Sequence, residues 1–298
     1  MKLNHIASAL FFACTFASGA ALAANTLRFG LEAQYPPFES KSSTGELQGL
    51  DIDVGNAVCA AAKMQCKWVE TSFDGLIPAL QGRKFDAINS AMNATEQRHQ
   101  AIDFTTVVYR VPTQLIAKKG NGLEPTATSL KGKSVGVLQS SIQETFAKAH
   151  WENEGVKVVP YQDQNQVYAD LKFGRLDGTL VLAPAGQSGF LSKPDGEGFA
   201  FVGAPVRDDK ILGSGIAYGV RKGDDALKAS AQRGDREGQG GRDHRQVREE
   251  VSGEYRYLGE VRSRGRCGSA RVSPPHRQFV LPLLSRAGSS GTGRIAEI

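Results

Sequence analysis

An α/β fold of two lobes joined by a two-strand hinge is expected from two observations. Strand-like and helix-like segments alternate along residues 26–228, which is the pattern of α/β proteins. The alternation also runs through two cycles of similar rhythm, which favours two lobes over one continuous sheet. With 298 residues and 40% hydrophobic composition, the chain is long enough for two domains and apolar enough for packed cores.

The first cycle holds three expected strands and two expected helices. Apolar residues at helical spacing indicate the helices, and Pro78 is tolerable because it lies in the first turn of the second one. In chain order we expect a strand at 27–30, a helix at 50–62, a strand at 67–70, a helix starting at 76–80 and a short buried strand at 85–88.

The second cycle repeats this order further along the chain. It begins at a valine-rich run that leads directly into a helix-like segment. The expected elements are a strand at 134–138, a helix at 141–151, a strand at 156–159, a helix at 166–173 and a strand at 178–182.

Two connectors predict the hinge. Residues 109–117 lead out of the first cycle, and residues 213–220 follow the second with an apolar alternation that can return the chain to the first. Hinged lobes that close on a ligand are a known binding device. We therefore expect a first lobe made of residues 24–110 and 211–228, and a second lobe made of residues 111–210.

Residues 1–23 are predicted to be a cleaved secretory signal. Lys2 and His5 precede an apolar run at 6–18, and small residues at 21–23 supply a cleavage pattern. A membrane anchor is the alternative, but the run is shorter than the roughly 20 residues that a membrane-spanning helix needs. A lipid-modified Cys14 is a further alternative, although the preceding residues fit a lipobox poorly. We therefore expect export by ordinary cleavage.

The segment 229–298 differs sharply from the rest in composition. It contains 13 arginines, no lysine and 8 acidic residues, so it carries the whole formal charge of +5. The basic balance therefore does not indicate nucleic-acid binding by residues 1–228. A polyanion-binding arm is one interpretation, because glycine-rich arginine segments can bind single strands.

Our preferred interpretation of segment 229–298 is a shifted reading frame that begins near Ser230. With free choice of synonymous codons, a one-base shift turns residues 230–259 into a lysine-rich amphipathic helix and a stop. The printed segment shows neither sustained helical nor strand periodicity. Resequencing codons 225–262 tests the hypothesis, and an unbroken frame in independent clones would refute it.

Four cysteines allow one local disulfide. Cys14 lies in the predicted signal and Cys267 in the atypical segment, which leaves Cys59 and Cys66. Because an exported protein meets an oxidising compartment, this pair predicts a disulfide at the edge of a helix. Two buried thiols are the alternative, and two cysteines are too few for a structural zinc site. We expect no metal and no cofactor.

Residues 26–228 resemble the periplasmic amino-acid-binding proteins of ABC importers. The resemblance is greatest to the lysine/arginine/ornithine and histidine branch, with the opine-binding proteins nearby. It implies the type II periplasmic-binding-protein fold. The matching motifs are Tyr35-x-Pro37-Phe38, Gly49-x-Asp51-Ile52-Asp53, Cys59 with Cys66, Phe73-Asp74-x-Leu76-Ile77-Pro78, Gly132-Lys133-x-Val135-Gly136-Val137-Leu138-Gln139 and Gly174-Arg175-Leu176-Asp177.

The resemblance implies a clamp for the ligand's α groups in the first lobe. Arg98 falls at the arginine that binds the α-carboxylate, a role suited to a planar fork of five donors. Asn93 falls at a position that contacts both α groups, and Ala91 at one whose backbone carbonyl accepts from the α-ammonium. Without the resemblance, Arg98 would be interpreted as a surface residue in the first turn of a helix.

From the second lobe, the resemblance places Ser141, Ile142 and Gln143 at the start of a helix. Free backbone N–H groups at such a start favour a carboxylate. Taken alone, Ser141 would indicate only an N-cap.

The remaining implied contacts surround the ligand's side chain. Tyr35 and Phe73 match two aromatic residues that sandwich it, and Leu138 closes the pocket. The pair suits an aliphatic stem that ends in a cation, although either ring alone would be interpreted as core. Glu32 falls where the family places an acid for that distal charge, with Ser90 beside it.

Leu182 departs from the family pattern. It stands where the basic amino-acid branch has an aspartate for the α-ammonium, and an enclosed ammonium without a counter-charge is unfavourable by several kcal/mol. One explanation is a ligand with a substituted α-nitrogen, as in opines. The other, which we rank slightly ahead, is an altered site for a basic amino acid.

The resemblance thus implies a periplasmic, monomeric solute-binding protein that captures a small ligand and delivers it to an ABC membrane permease. A periplasmic dehydratase on the same fold is an alternative, in which Glu32 would be the general acid. A sensor domain would require a transmembrane helix and a signalling module. A non-functional product is the last alternative, because a frameshift would remove the final helices of the first lobe.

Overall fold

The computed structural model describes residues 26–238, so the predicted signal at 1–23 and residues 239–298 of the atypical segment lie outside the described residues. The first half of the described chain folds as β1 (Thr26–Leu31), β2 (Gln34–Tyr35), β3 (Glu39–Lys41), β4 (Leu47–Gln48), α1 (Leu50–Ala61), β5 (Gln65–Glu70), α2 (Leu76–Gln81), β6 (Ala87–Ile88), α3 (Glu96–His99) and β7 (Asp103–Phe104).

The second half alternates in the same way and then returns to the first sheet. Its elements are β8 (Thr113–Lys118), α4 (Ala127–Leu130), β9 (Ser134–Leu138), α5 (Ile142–His150), β10 (Lys157–Tyr161), α6 (Gln164–Lys172), β11 (Gly178–Leu182), α7 (Ala183–Gly186), β12 (Phe199–Val206), α8 (Asp209–Leu212), β13 (Gly219–Val220) and α9 (Asp225–Gly238). Short 3₁₀ turns lie at Phe73–Gly75, Glu152–Glu154 and Pro194–Gly196, and a π turn at Gln187–Leu191.

Two five-stranded sheets form the framework of the described residues, as the sequence predicts. The first has the strand order β5-β1-β6-β13-β7 and the second the order β10-β9-β11-β8-β12. Both mix parallel and antiparallel pairs, because β13 runs antiparallel to β6 and β8 runs antiparallel to β11. A small third sheet, β2-β3-β4, covers the region that follows β1.

The connections between the sheets run close together. Tyr109, on the way out of the first sheet, forms an isolated bridge with Ile216 on the way back, and Ile216 also bridges Asn93. The chain then enters the first sheet as β13, between β6 and β7. This geometry agrees with a two-strand hinge, while the lobe boundaries 24–110 with 211–228 and 111–210 stay a prediction.

The start of α1 is fixed by backbone contacts that require glycine. Gly49 has φ 126, and an added Cβ would lie 2.4 Å from the carbonyl oxygen of Phe38. The next two N–H groups, of Leu50 and Asp51, donate to the carbonyls of Pro37 and Phe38 at 2.9 and 2.8 Å. The helix therefore begins directly against the segment that follows Tyr35.

The predicted disulfide between Cys59 and Cys66 is confirmed, with a Cα–Cα distance of 5.7 Å. It joins the end of α1 to the beginning of β5. Phe29 of β1 stacks on Trp68 of β5, with ring centroids 5.1 Å apart. The edge strand β5 is therefore attached to α1 by a covalent bond and to β1 by an aromatic contact.

Helix α9 extends past the predicted start of the atypical segment. It runs from Asp225 to Gly238 and therefore continues beyond Ser230, where the sequence shows no sustained periodicity. Leu227 and the buried Ala231, four positions apart, lie on one face of the helix and pack into the core that also contains residues of α1. Within the described residues, no helix is both long and apolar enough to span a membrane.

Candidate ligand-binding cleft

A cleft with about 280 Å³ of empty space lies where strands of both sheets end. Tyr35 follows β1, Ala91 follows β6, and Leu138 and Leu182 are the last residues of β9 and β11. Ten of the twelve predicted ligand-binding residues line it: Tyr35, Phe73, Ala91, Asn93, Arg98, Leu138, Ser141, Ile142, Gln143 and Leu182.

Arg98 carries the positive charge of the cleft. It lies in the short helix α3, whose N-cap Thr95 accepts from the Arg98 N–H at 3.2 Å. Its Nη1 donates to the Asn93 carbonyl and its Nη2 to the Ser140 carbonyl, both at 2.9 Å, so the guanidinium touches residues of both halves. Burial lowers the pKa of Arg98 to about 10, which leaves it charged at neutral pH.

No acid neutralises this guanidinium within residues 26–238. The ion pairs of the described chain do not include Arg98, and its contacts are carbonyl oxygens and the Phe73 ring, whose centroid lies 5.4 Å from Cζ. An unneutralised, partly desolvated cation favours an anionic ligand group. The geometry therefore suits a carboxylate.

The start of α5 forms the opposite wall of the cleft. Ser141 is the N-cap, and its hydroxyl accepts from the Glu144 N–H at 3.1 Å. Ile142 and Gln143 are buried behind it, and the Gln143 amide donates to the Thr113 hydroxyl at 3.3 Å. The N-cap interpretation of Ser141 is therefore confirmed. Its contact with a ligand carboxylate at the positive end of the helix stays a prediction.

The aromatic and apolar side of the cleft is provided by both halves. The Tyr35 hydroxyl accepts from the backbone N–H of Leu182 at 3.3 Å, which ties the first half to the end of β11. Leu182 itself is 3% exposed and contributes no charge. As a result, the ten lining residues include one cation and no acid.

Glu32 and Ser90 are not among the lining residues. The Ser90 hydroxyl accepts from the Glu32 N–H at 3.0 Å and donates to Glu39 at 2.8 Å, so it is occupied inside the first half. Glu32 is 4% exposed, and its Oε2 has no hydrogen-bond partner within the described residues. Burial, followed by the charges of Asp163 and Asp74, raises its pKa to about 8.

Sequence reasoning gave no role to Asp74 or Asp163. Asp74 lies in a quoted motif, and its Oδ1 is buried without a partner in the described chain. Asp163 caps α6, where its side chain accepts from the Asn165 N–H at 2.6 Å. Their charges raise the pKa of Glu32 from opposite halves of the molecule, and no local sequence pattern predicts this effect. No cluster of three or more potential metal ligands occurs within residues 26–238.

Two α/β units with a charged cleft at the carboxyl ends of their strands define the class of hinged solute-binding proteins. The chain belongs to the bacterial extracellular solute-binding proteins, family 3, whose model matches residues 27–237.

Curated relatives of this chain are amino-acid-binding proteins. It is 45% identical over 216 residues to the lysine/arginine/ornithine-binding periplasmic protein of Escherichia coli K12, covering 72% of this chain and 83% of the relative. It is also 45% identical over 201 residues to the L-arginine-binding protein of Pseudomonas aeruginosa, covering 67% of this chain and 78% of the relative.

Solved structures give the same result for the fold. A Salmonella typhimurium periplasmic binding protein, described for its high arginine specificity, superposes with a TM-score of 0.70 at 30% identity and covers 76% of this chain and 99% of its own. An ancestral arginine-binding protein bound to arginine superposes with a TM-score of 0.69 at 28% identity. The expected type II two-lobed fold is confirmed.

Proposed function

We propose that this protein is the periplasmic solute-binding component of an ABC importer and captures a basic amino acid, with arginine as the first candidate. The names of the relatives support the ligand class, and the cleft supports capture without chemistry. The single observation that carries the proposal is Arg98, a charged guanidinium in the cleft without an acidic partner among the described residues.

The ligand's α-carboxylate binds Arg98 and the start of α5. A guanidinium can donate two parallel hydrogen bonds to a carboxylate, and Arg98 lies between Asn93 and Ser140, which belong to opposite halves. The first turn of α5 adds the positive end of a helix dipole. The carboxylate therefore joins the two lobes at one point.

The ligand's side chain runs between Tyr35 and Phe73 towards Glu32. An aliphatic stem suits the aromatic faces, and a distal cation suits a buried carboxyl group whose Oε2 lacks a partner in the described chain. A bound cation favours the ionised form of Glu32, whose pKa of about 8 leaves it mostly protonated at neutral pH without ligand.

Capture proceeds by closure of the two lobes. The ligand binds the first lobe through Arg98, Tyr35 and Phe73, and contacts made only in the closed form stabilise closure. The closed monomer is then recognised by the membrane permease, after export with removal of residues 1–23.

A second candidate ligand is an opine or another amino acid with a substituted α-nitrogen. Leu182 favours it, because the described lining has no acid for a free α-ammonium and an apolar side chain can contact the extra carbon. The same carboxylate clamp at Arg98 serves both ligand classes.

Calorimetric titration with arginine, lysine, ornithine, histidine, octopine and nopaline tests the proposal. We expect at least one basic amino acid to bind at about −8 kcal/mol, which corresponds to micromolar affinity or better. Arg98→Ala should abolish binding, whereas Arg175→Ala, a matched change at a 70% exposed side chain that pairs with Asp170, should not. Tighter binding of octopine or nopaline would select the second candidate, and no heat with any compound would refute both.

A further inference from the structure

Two buried acids, Glu39 and Asp51, lie beneath the cleft without lining it. Each is 1% exposed. The backbone brings them together, because α1 begins against the carbonyls of Pro37 and Phe38, directly before Glu39. None of the ion pairs in the described chain includes either acid, so neither charge is neutralised by a lysine or arginine there.

The Asp51 carboxylate joins the cleft to the hinge. Its Oδ2 accepts from the backbone N–H of Ala91 and its Oδ1 from the hydroxyl of Tyr109, both at 2.6 Å. Ala91 lines the cleft, and Tyr109 pairs with Ile216 in the connection between the sheets. One buried side chain therefore contacts both the ligand-binding surface and the segment that must bend when the lobes close.

Ala91 needs this support because its backbone is strained. Its φ of 42 lies in the left-handed region, which is unfavourable for a residue with a side chain. The Asn89 side chain adds a second tie by donating to the Asp51 carbonyl at 2.6 Å. Together these contacts fix the backbone conformation at Ala91. We assign the Ala91 carbonyl to the ligand's α-ammonium.

Burial raises the pKa of both acids. For Glu39, burial and then the charge of Asp51 raise the pKa well above its usual range. Burial raises the pKa of Asp51 to about 6, against hydrogen bonds from Tyr109 and Ala91 that lower it. The other groups that face the pair are Glu32, Ser90, Tyr35 and, beside Tyr109, Tyr218.

We propose that Asp51, which is buried beside Glu39, is a positioning residue for ligand capture. Its carboxylate sets the Ala91 backbone at the cleft and links it to Tyr109, so that protonation of Asp51 weakens ligand binding. A protonated Asp51 keeps only one oxygen as a full acceptor and loses charge-assisted hydrogen bonds. The proposal rests on the proposed function, since one of its readouts is ligand affinity.

Calorimetry with L-arginine at pH 5 and pH 7.5 tests the effect on binding. Glu32 also titrates in this range, so the effect of Asp51 is measured as the difference between the unsubstituted chain and Asp51→Asn. We expect the unsubstituted chain to lose about tenfold more affinity between pH 7.5 and pH 5 than Asp51→Asn loses, the size of one lost charge-assisted hydrogen bond. Asp51→Asn should bind weakly at both pH values, whereas Asp53→Asn, an exposed acid in the same helical turn, should retain the pH dependence.

A second measurement does not need a ligand. The Ala91 amide proton reports directly on its hydrogen bond to Asp51, so its chemical shift in the unliganded protein should titrate with a midpoint near pH 6. A flat Ala91 shift between pH 5 and 7.5 would overturn the proposal, even if Asp51→Asn does not fold. Equal affinities of Asp51→Asn and Asp53→Asn would overturn it as well. A titrating Ala91 shift without arginine binding would support the linkage and refute the basic amino-acid ligand.

Discussion

At the scale of single residues, the cleft lining contains one unneutralised cation, Arg98, and a poorly solvated acid, Glu32, is buried outside that lining. We propose that Arg98 binds a carboxylate, and burial keeps the carboxyl group of Glu32 largely protonated by raising its pKa to about 8. Leu182 separates this cleft from the family pattern, because it removes the acid expected near the α-ammonium. We therefore expect the ligand specificity of the protein to depend on whether the ligand's α-nitrogen is a free ammonium or carries a substituent.

Replacement of Leu182 by Asp is expected to increase arginine affinity about tenfold, because a new carboxylate would compensate the enclosed ammonium. Calorimetry with arginine and Nα-acetylarginine measures this, since the acetylated ligand has no α-ammonium and should gain nothing. Leu182→Asn supplies similar size without charge. An equal gain with Asn would show that charge is not the cause.

Binding of a basic amino acid is expected to release protons from Glu32 at pH 7. The pKa of about 8 means that Glu32 is mostly protonated before binding, and a bound cation favours its ionised form. Calorimetry in buffers of different ionisation enthalpy measures the number of protons released. Glu32→Gln should remove most of the release, and an unchanged proton count in that variant would contradict the assignment of Glu32.

At the scale of elements, the strands and helices of the two expected cycles follow the sequence closely, whereas the long strand β12 and the long helix α9 have no counterpart among the expected elements. The expected strand at 178–182 is β11, and the expected helix at 141–151 is α5 at Ile142–His150. Helix α6 starts at Gln164, two residues earlier than expected, because Asp163 caps it. Strand β6, Ala87–Ile88, lies inside the short buried strand expected at 85–88, whereas the two residues of β13 are too few for periodicity to define its bounds.

The disulfide at the end of α1 is expected to stabilise the fold without affecting the cleft. It closes a loop with a sequence separation of 7 residues, so the double replacement Cys59→Ser and Cys66→Ser should destabilise by about 2 kcal/mol. Thermal unfolding and arginine calorimetry measure the two effects. A large loss of affinity with little loss of stability would contradict this separation.

At the scale of the whole molecule, ten predicted site residues come together from segments far apart in the sequence. Their roles in binding stay predictions, but their joint position agrees with the resemblance that selected them. Ser90 shows the limit of such reasoning, because its hydroxyl turns to Glu39, a contact across 51 positions. The sequence likewise did not predict that Glu39 and Asp51 are buried side by side, because burial and the interaction of their charges arise only after folding.

Three buried acids with raised pKa values give an unusual pH dependence of stability. The pKa values of Glu32 and Asp51, about 8 and about 6, exceed the ordinary values of 4.5 and 3.8 for these side chains, and the pKa of Glu39 is also raised. The folded state therefore binds more protons than the unfolded state in this range, and stability rises as pH falls.

We expect the melting temperature of the unliganded protein to increase by several degrees between pH 8 and pH 5. The gain should end near pH 4, where the unfolded chain also becomes protonated. Scanning calorimetry measures this, and Glu32→Gln should reduce the gain throughout the range from about pH 8 to pH 5. A melting temperature that is constant or falls between pH 8 and pH 5 would contradict the assigned ionisation states.

A crystal structure of the protein with L-arginine shows whether the cleft holds a basic amino acid by its carboxylate between the two lobes. We expect the α-carboxylate to lie within hydrogen-bonding distance of the Arg98 guanidinium and the first turn of α5, with the side chain between Tyr35 and Phe73. An arginine molecule bound with its carboxylate away from Arg98, or bound outside the cleft, would contradict this binding mode.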